Sequence, residues 1–494
     1  MIGFDNSTYI KNQTENILKR IAQFDNKLYL EFGGKLFDDY HAARVLPGFD
    51  LNGKIKILKS LKDNAEVVFC ISAIDIENNK IRDDLGITYD QDVLRLIDNI
   101  RTMDILVSSI VITQFAGQPL ASAFKNRLEL RGERVYIHKP IYGYPSDVDF
   151  VVSDKGYGSN PYIETTRPLV VVTAPGPSSG KLATCLSQLY HEHIRNVKAG
   201  YAKFETFPIW NLPLKHPVNL AYEAATTELK DVNMIDPFHL EAYGITAVNY
   251  NRDIEVFPIV KTMLAKINGN LDVYNSPTDM GINMAGSAII DDDAVREASK
   301  QEIIRRYYKT WCAYKQGRVD VDAGRKIELI MQQLDLKPVD RDVVSPAMEK
   351  SKMNGEVPAM SIKLPDGTIV TGKESHLLKA PSSCVLNAVK HVGKIADEIH
   401  LISPIVLEPM LKLKQNILKS KIPSLSLDEV LLALSICAAT NPTAQLAMDK
   451  LECLRGCEAH CTNMVSQPDE DILRRLGIHL TCEAEYPSKD LYFI

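Results

Sequence analysis

The sequence predicts an α/β protein whose core is a doubly wound, mostly parallel sheet. Short runs of consecutive apolar residues recur through the first half of the chain, which is typical of strands buried on both faces. Segments with apolar residues at spacings of three and four separate these runs, as expected of helices that pack on a sheet. This alternation favours strand–helix–strand units and therefore a parallel sheet.

Five apolar runs in this region are predicted to be strands. The clearest is LVVVT at residues 169–173, and the other four are residues 27–32, 66–72, 105–113 and 134–139. Helices are predicted between them at residues 91–101 and 120–131.

The alternation of predicted strands and helices stops after residue 235 and begins again near residue 346. These two changes divide the sequence into three predicted domains, 1–235, 236–345 and 346–494. The middle domain is expected to be mainly helical, because residues 253–267 and 291–314 carry long helical patterns. Prolines and charges at residues 337–357 indicate a linker.

The last domain is predicted to return to an α/β pattern. Residues 360–364 and 368–371 flank Pro365-Asp366-Gly367, which indicates a hairpin. Further strands are predicted at residues 398–403, 458–465 and 478–485.

The composition excludes several classes of partner. The 494 residues are 24% charged with a formal net charge of −6, which provides no basic surface for nucleic acid or an anionic membrane. No apolar run reaches the roughly 18 residues that cross a bilayer, and the first residues lack a signal peptide's apolar core. Nine cysteines, an odd number, are expected to be free thiols, so the predicted location is the cytoplasm.

A glycine-, proline- and serine-rich turn follows the clearest strand, in the sequence VVVTAPGPSSGKLATCLSQL at Val170 to Leu189. Small residues allow backbone N–H groups to converge on an anion, and the helix that follows adds the positive end of its dipole. This P-loop-like turn predicts a site for a phosphate-bearing small molecule. The residues expected to bind it are Gly176, Ser178, Ser179, Gly180, Lys181 and Thr184.

The turn departs from the P-loop pattern G-x-x-x-x-G-K-[ST] in two places. Pro175 occupies the position of the first glycine, and Leu182 replaces the hydroxyl residue that ligates Mg²⁺. The alternative interpretation is a tight strand-to-helix turn that binds nothing and leaves Lys181 in solvent. The buried strand before the turn and the amphipathic helix after it favour the phosphate site over this alternative.

Lys181, Asp236 and His239 are the candidate catalytic residues, with ATP or another nucleotide and Mg²⁺ as the expected cofactors. Asp154 and Asp236 each follow an apolar run that could be a strand ending in a Mg²⁺-orienting carboxylate. The aromatic and polar residues 203–219 and 236–241 are expected to form substrate loops. Packing between domains is an equally good interpretation of these loops.

Two groups of histidine and cysteine residues do not have the spacing of metal sites. The sequence His191-Glu192-His193 lacks the H-E-x-x-H spacing of zinc peptidases. Cys453, Cys457, His460 and Cys461 lack paired C-x₂-C knuckles, so no zinc is expected there and their role is left open.

Several long motifs resemble one protein family. They are YLEFGGKL at residues 29–36, RVLPGFD at 44–50, KIRDDLGITYD at 80–90, TAPGPSSGKLATC at 173–185, GYAKFETFPIWNLPLKHPVN at 200–219 and GCEAH at 456–460. Together they resemble the bacterial uncharacterised protein family 0371, whose members carry a domain-of-unknown-function label. The resemblance implies a multidomain α/β protein. Some members are labelled ATP-dependent peptidases, a label that no metal motif in this sequence supports.

The C-terminal third also resembles, weakly, the layered fold of cytidine deaminases. Such enzymes place H-x-E and P-C-x-x-C at the starts of two helices. Here the corresponding positions hold Ser382-Ser383-Cys384 and Ser403-Pro404-Ile405-Val406, so the zinc ligands are absent. The resemblance implies the fold without the deaminase chemistry.

Three functions are compatible with these observations. The first is a nucleotide-dependent hydrolase or phosphotransferase. The second is a regulatory protein that binds a nucleotide or phosphometabolite without turnover, which Leu182 favours. The third is an oligomeric scaffold in which the turn has no ligand. A homo-oligomer is expected in each case.

Overall fold

The computed structural model describes residues 2–82, 85–269 and 273–488. The chain forms two compact units, Met1–Ser299 and Lys300–Ile494. This division differs from the three predicted domains, because residues 236–299 add a strand to the sheet of the first unit. Residues 300–345 belong to the second unit.

The strands of the first unit are numbered in chain order. They are β1 (Leu28–Phe32), β2 (Ala65–Ser72), β3 (Ile81–Arg82), β4 (Ile87–Thr88), β5 (Leu106–Thr113), β6 (Val135–Ile137), β7 (Leu169–Thr173), β8 (Gly200–Phe204), β9 (Asn233–Ile235), β10 (Val248–Tyr250) and β11 (Gly281–Ile282). The five predicted strands are confirmed as β1, β2, β5, β6 and β7.

The helices of the first unit are α1 (Asn6–Ala22), α2 (Tyr40–Val45), α3 (Gly53–Ser60), α4 (Ala73–Glu77), α5 (Tyr89–Arg101), α6 (Pro119–Leu130), α7 (Val148–Val151), α8 (Lys181–Ile194), α9 (Pro217–Ala225), α10 (Pro237–Tyr243), α11 (Asn251–Asn268) and α12 (Pro277–Met280). Helix α13 (Asp292–Lys315) includes residues of both units. The predicted helices at 91–101, 120–131, 253–267 and 291–314 are confirmed as α5, α6, α11 and α13.

The centre of the first unit is a seven-stranded sheet in which every pairing is parallel, in the order β11-β8-β1-β7-β2-β5-β6. Each residue of β2 and β7 is buried, as expected of strands covered on both faces. The predicted doubly wound α/β fold is therefore confirmed. Two antiparallel pairs, β3 with β4 and β9 with β10, lie outside this sheet.

The chain reverses its direction across the sheet at β1 and β7, which are neighbours. From β1 the chain moves past β7 to β2, whereas from β7 it moves past β1 to β8. Because parallel crossovers are right-handed, connections that run in opposite directions place their helices on opposite faces. The carboxyl ends of β1 and β7 therefore form a topological switch point, where open α/β sheets bind their ligands.

The second unit contains a four-stranded mixed sheet in the order β13-β12-β14-β15. Its strands are β12 (Ala359–Lys363), β13 (Ile369–Lys373), β14 (Glu458–Cys461) and β15 (His479–Cys482). Its helices are α14 (Val321–Gln333), α15 (Val344–Met353), α16 (Ala380–Val392), α17 (Pro404–Lys412), α18 (Leu427–Ala438), α19 (Pro442–Asp449) and α20 (Gln467–Arg475). The hairpin predicted around Pro365-Asp366-Gly367 is confirmed as β12 and β13, which pair in antiparallel fashion.

Three predictions for this region are wrong or not confirmed. Residues 398–403 form no strand; Leu401 and Ile402 are buried in the core as part of an irregular segment. The predicted linker at 337–357 contains α15, whose Ala347 is buried. The resemblance to the cytidine-deaminase fold is not confirmed.

Among the described residues, no helix combines the length and the apolar character needed to cross a bilayer. The cysteines, all nine of which are described, are free thiols.

Candidate functional site

The P-loop-like turn lies at the switch point, between the end of β7 and the start of α8. Ser178 and Gly180 both have left-handed backbone conformations, with φ of +57° and +79°. The Ser179 hydroxyl donates a hydrogen bond of 2.7 Å to the carbonyl oxygen of Gly176. The sequence therefore builds a turn that closes on itself before the helix begins.

The amino end of α8 has no side-chain cap. Gly180 is its N-cap and brings no side-chain acceptor for the first-turn N–H groups. Lys181, the first helical residue, is half-buried, and its ammonium group has no hydrogen-bond or ion-pair partner among the described residues. Unpaired donors and a helix dipole favour an anion at this position.

The segment of residues 80–90 packs on the same turn through Tyr89. A Cβ atom on Gly176 would lie 2.3 Å from the Tyr89 hydroxyl, so the tyrosine ring covers this glycine closely. The Lys80 ammonium lies 5.1 Å from the centre of the Tyr89 ring and 3.3 Å from Asp75 Oδ1. Asp75 lies in α4, just past the carboxyl end of β2, the strand beside β7.

Asp75 is a polar residue of this region that the sequence analysis missed. Its Oδ2 atom is buried and has no hydrogen-bond partner among the described residues. The signal that could have found it is an acidic residue three positions after the end of the strand EVVFCIS, in the sequence Ala73-Ile74-Asp75. A buried carboxylate oxygen without a partner is costly unless a ligand or cation meets it.

Not all of the predicted phosphate-binding residues face outward. Thr184 is only 1% exposed, and its hydroxyl oxygen accepts a contact of 3.5 Å from the Cys70 thiol. Ser179 is equally buried and holds the turn closed. The groups left for a phosphate are the backbone of residues 176–180, the exposed Ser178 and Lys181.

The thiols beneath the turn are not reactive groups. Burial raises the pKa of Cys70 to about 12, although the positive charge of Lys181 opposes this shift. Burial also raises the pKa of Cys185 well above its usual value. Both side chains therefore remain neutral at physiological pH and pack as small apolar groups.

The predicted acidic partners are not at the turn. Asp154 follows α7 rather than a strand, and its Oδ1 accepts a 2.8 Å hydrogen bond from the Tyr190 hydroxyl. Asp236 follows β9, outside the central sheet, and is fully buried. Its Oδ1 accepts from two N–H groups of α10, and its Oδ2 accepts a 2.6 Å bond from the Thr278 hydroxyl. Asp236 thus positions α10, and its catalytic role stays a prediction.

His239, the third predicted catalytic residue, lines a cavity of about 300 Å³. We name it the β8–β11 cavity, because Glu205 follows β8 and Gly281 begins β11 on its wall. None of the turn residues lines it. The predicted substrate loops do contribute, through Glu205, Pro208, Trp210 and His239.

A partly buried charge network supports one wall of the β8–β11 cavity. Lys203 forms ion pairs with Glu205, at 2.9 Å, and with Asp253. Burial raises the pKa of Glu205, and the positive charge of Lys203 opposes this rise. The two carboxylates raise the pKa of Lys203 despite its burial, so the lysine stays charged.

The Cys453, Cys457, His460 and Cys461 group is not gathered around a common point. Cys453 is exposed, whereas Cys457 and Cys461 are buried. His460 is buried and its Nδ1 lies 2.9 Å from Thr481 Oγ1. Within the described residues, no group of three or more His, Cys, Asp or Glu side chains could hold a metal ion.

Residues 2–335 match the family described as "Domain of unknown function DUF1846, N-terminal", and residues 339–492 match "Domain of unknown function DUF1846, C-terminal". The chain belongs to this family. It is 58% identical over 499 residues to a UPF0371 protein of Clostridium botulinum (strain Alaska E43 / Type E3). It is 57% identical over 499 residues to UPF0371 proteins of Clostridioides difficile (strain 630) and Clostridium tetani (strain Massachusetts / E88). Each of these alignments covers 100% of this chain and 99% of the relative.

The predicted resemblance to uncharacterised family 0371 is therefore confirmed. Four of the segments that carry the UPF0371 resemblance meet at the carboxyl edge of the central sheet. Residues 29–36 contain most of β1 and the residues after it, and residues 200–219 contain β8 and the residues after it. Residues 173–185 contain the turn, and residues 80–90 pack on the turn through Tyr89. Asp83 and Asp84 of the last segment lie outside the described residues.

Proposed function

We propose that this UPF0371 protein binds a phosphate-bearing small molecule, in particular a nucleotide, at the turn of residues 174–180 and the amino end of α8. The observation that carries the proposal is the position of the turn at the topological switch point between β1 and β7. The turn is followed by a helix without a side-chain cap and by a lysine without a protein partner in the described part of the chain.

Binding without turnover is the function that the turn favours. The hydroxyl position of a P-loop holds Leu182, and Thr184 is buried against Cys70. Neither side chain fits the role of a Mg²⁺ ligand, which in P-loop proteins comes from a serine or threonine at the start of the helix. A regulatory or carrier role for the bound nucleotide follows.

A titration with ATP, ADP, AMP and inorganic phosphate tests the proposal, with calorimetry and thermal unfolding as readouts. A ligand that binds only the folded protein raises its unfolding temperature. Lys181→Ala should weaken phosphate binding about tenfold, because one charge-assisted contact is lost. Lys198→Ala is the matched control, since Lys198 is exposed and lies beyond the opposite end of α8.

The proposal fails if none of these compounds binds the wild-type protein, or if both lysine variants bind as the wild type does. It also fails if Lys198→Ala weakens binding as strongly as Lys181→Ala. In the first case the turn serves only to join β7 to α8.

Hydrolysis or phosphoryl transfer is the second candidate function, and Asp75 is the observation that favours it. Its buried, unpartnered Oδ2 lies past the end of β2, beside the strand that precedes the turn. Release of phosphate from ATP, measured with Mg²⁺ and with EDTA, decides between the two functions. Turnover that requires Mg²⁺ and is lost in Asp75→Asn would establish the enzyme.

We place the protein in the cytoplasm as part of this proposal, because its nine cysteines are free thiols and nucleotides are cytoplasmic metabolites. The homo-oligomeric state stays a prediction, and sedimentation velocity measures it directly.

A further inference from the structure

The β8–β11 cavity is a second feature of the carboxyl edge of the sheet. Helix α1 forms one side of it with Lys19 and Arg20, and the other sides come from the segment after β8, from α10, β10 and α12, and from β11 with the residues after it. Its volume of about 300 Å³ lies at the lower end of the range that holds small ligands.

Three nitrogen atoms on its wall have no protein partner among the described residues. Arg20 Nη2 donates a 2.8 Å hydrogen bond to the carbonyl oxygen of Asp279, but Arg20 Nη1 is buried and unpaired. His239 Nδ1 lies 3.0 Å from Ser276 Oγ, which leaves Nε2 without a protein partner. The ammonium group of Lys19, an exposed residue on the same turn of α1, also has no partner among the described residues.

The carboxylates on the wall are already engaged by the protein. Glu205 is paired with Lys203, as described above. Asp279 Oδ2 accepts hydrogen bonds from the Tyr243 hydroxyl and from the N–H groups of Asn275 and Ser276, and Asp279 Oδ1 lies 3.9 Å from His239 Nδ1. Among the described residues that line the cavity, Arg20 Nη1 is the one buried polar side-chain atom without a partner, and Lys19 adds a second positive charge beside it.

An aromatic and apolar surface adjoins these donors. The Trp210 ring meets the His239 ring edge to face, with 5.9 Å between ring centres, and its Nε1 donates a 3.1 Å hydrogen bond to the carbonyl oxygen of Asn283. Val248, Ile282 and Met284 supply further apolar lining. A fixed indole beside unpaired donors suits a ligand with a flat body and a charged head.

We propose that the β8–β11 cavity binds a small organic oxyanion, a carboxylate or a phosphate ester, with a flat body. Arg20, Lys19 and His239 hold the oxyanion, and Trp210 packs against the body. Arginine presents a planar fork of donors that matches the oxygens of either group. This site does not depend on the phosphate site at the turn, because the two share no residue.

Trp210 fluorescence reports directly on this cavity. The chain has two tryptophans, so Trp311→Phe leaves Trp210 as the sole indole. In this background, benzoate and phenyl phosphate serve as probes, and benzamide serves as the uncharged analogue of benzoate. We expect a saturable change with at least one oxyanion and none with benzamide. The oxyanion that binds more tightly identifies the head group as carboxylate or phosphate.

Arg20 variants test the assignment of residues. Arg20→Gln should weaken binding about tenfold, and Arg20→Lys, which keeps the charge but loses the fork, should weaken it less. Lys11→Gln is the matched control, because Lys11 is exposed on α1 and does not line the cavity. Circular dichroism melts establish that each variant is folded, and Arg20→Lys keeps the test valid if Arg20→Gln unfolds.

Each of several results would overturn the inference. They are an unchanged Trp210 signal with both oxyanions, equal binding of benzamide, and wild-type affinity in a folded Arg20→Gln variant or, where that variant is unfolded, in Arg20→Lys. A phenyl phosphate signal that is lost in Lys181→Ala but retained in the Arg20 variants would place the phosphate at the turn. That result would support the proposed function and contradict a ligand in the cavity.

Discussion

The Thr113 hydroxyl, at the carboxyl end of β5, donates a 2.8 Å hydrogen bond to the carbonyl oxygen of Ser179 in the turn after β7. The two strands are not neighbours, since β2 lies between them. The turn therefore extends over the carboxyl end of β2. Gly180 permits this approach, because a Cβ atom at this position would lie only 2.9 Å from Thr113 Cβ. The backbone of Gly180 also has a left-handed φ, which residues with a side chain rarely adopt.

Removal of this hydroxyl should loosen the turn. Thr113→Val keeps the shape of the side chain but leaves the buried Ser179 carbonyl without its partner, at a cost of about 1–3 kcal/mol. We expect a lower free energy of unfolding in urea and several-fold weaker phosphate binding. Thr113→Ser retains the hydroxyl and is the control. Equal stability of Thr113→Val and the wild type would show that the hydrogen bond does not hold the turn.

A buried ion pair joins two segments near the switch point. Lys54 in α3 is 2% exposed, and its ammonium lies 2.7 Å from Asp39 Oδ2. The Lys54 charge lowers the pKa of Asp39 in spite of the burial that would raise it. The ammonium also lies close to Gly34, which follows β1, since a Cβ atom on Gly34 would be 3.4 Å from it.

Lys54→Met should destabilise the protein by about 3–5 kcal/mol, because it leaves the Asp39 carboxylate buried without its counter-ion. Lys56→Met is the matched control two residues further along α3. Lys56 is exposed and pairs with Asp50 at the surface, so its loss should cost less than about 1 kcal/mol. Urea denaturation of both variants provides the comparison. Similar losses in the two variants would contradict the buried pair's role.

The sequence predicts those strands that consist of an almost unbroken run of apolar residues. The runs AEVVFCIS and LVVVT are apolar almost throughout, and both are central strands. The sequence predicts a loop from Lys203 onward, whereas β8 continues to Phe204, because Lys203 and the following Glu205 interrupt the apolar pattern. Lys203 forms ion pairs with Glu205 and with the distant Asp253, a compensation that a local pattern cannot reveal.

The candidate site was predictable in outline but not in detail. The strand–turn–helix pattern located the turn, since its glycines and serines indicate the backbone geometry directly. The burial of Thr184 depends on Cys70 in a different strand. The proximity of Tyr89 to Gly176 likewise depends on tertiary packing. Sequence spacing carries no information about either contact.

Close packing of α16 on β13 in the second unit depends on Gly372. A Cβ atom there would lie 2.3 Å from the backbone nitrogen of Cys384, and a backbone atom cannot move aside as a side chain can. Gly372→Ala should therefore destabilise the second unit by about 1–3 kcal/mol or more. Gly317→Ala is the comparison. A Cβ atom on Gly317 would meet no other atom within 4 Å, so the only cost of this substitution is backbone strain at a left-handed φ of +71°. Thermal unfolding should show a larger decrease for Gly372→Ala.

The stability of the first unit should depend on pH through His138, which follows β6 and is 4% exposed. Burial lowers the pKa of His138 from 6.5 to about 4; the nearby Pro161 carbonyl opposes this shift, and the nearby His191 adds to it. Between these two values the unfolded chain binds more protons than the folded chain. The free energy of unfolding therefore falls as the pH decreases from about 6.5 to 4, by up to about 3 kcal/mol from this residue.

His138→Asn should remove this contribution, because an amide is polar like the imidazole and does not titrate in this range. Urea denaturation at several pH values should give a shallower dependence for His138→Asn than for the wild type. His193→Asn is the matched control, since His193 is exposed on α8 and should leave the wild-type dependence in place. If the wild type and His138→Asn lose stability in parallel on acidification, His138 is not the group responsible, and other buried groups must bind the protons.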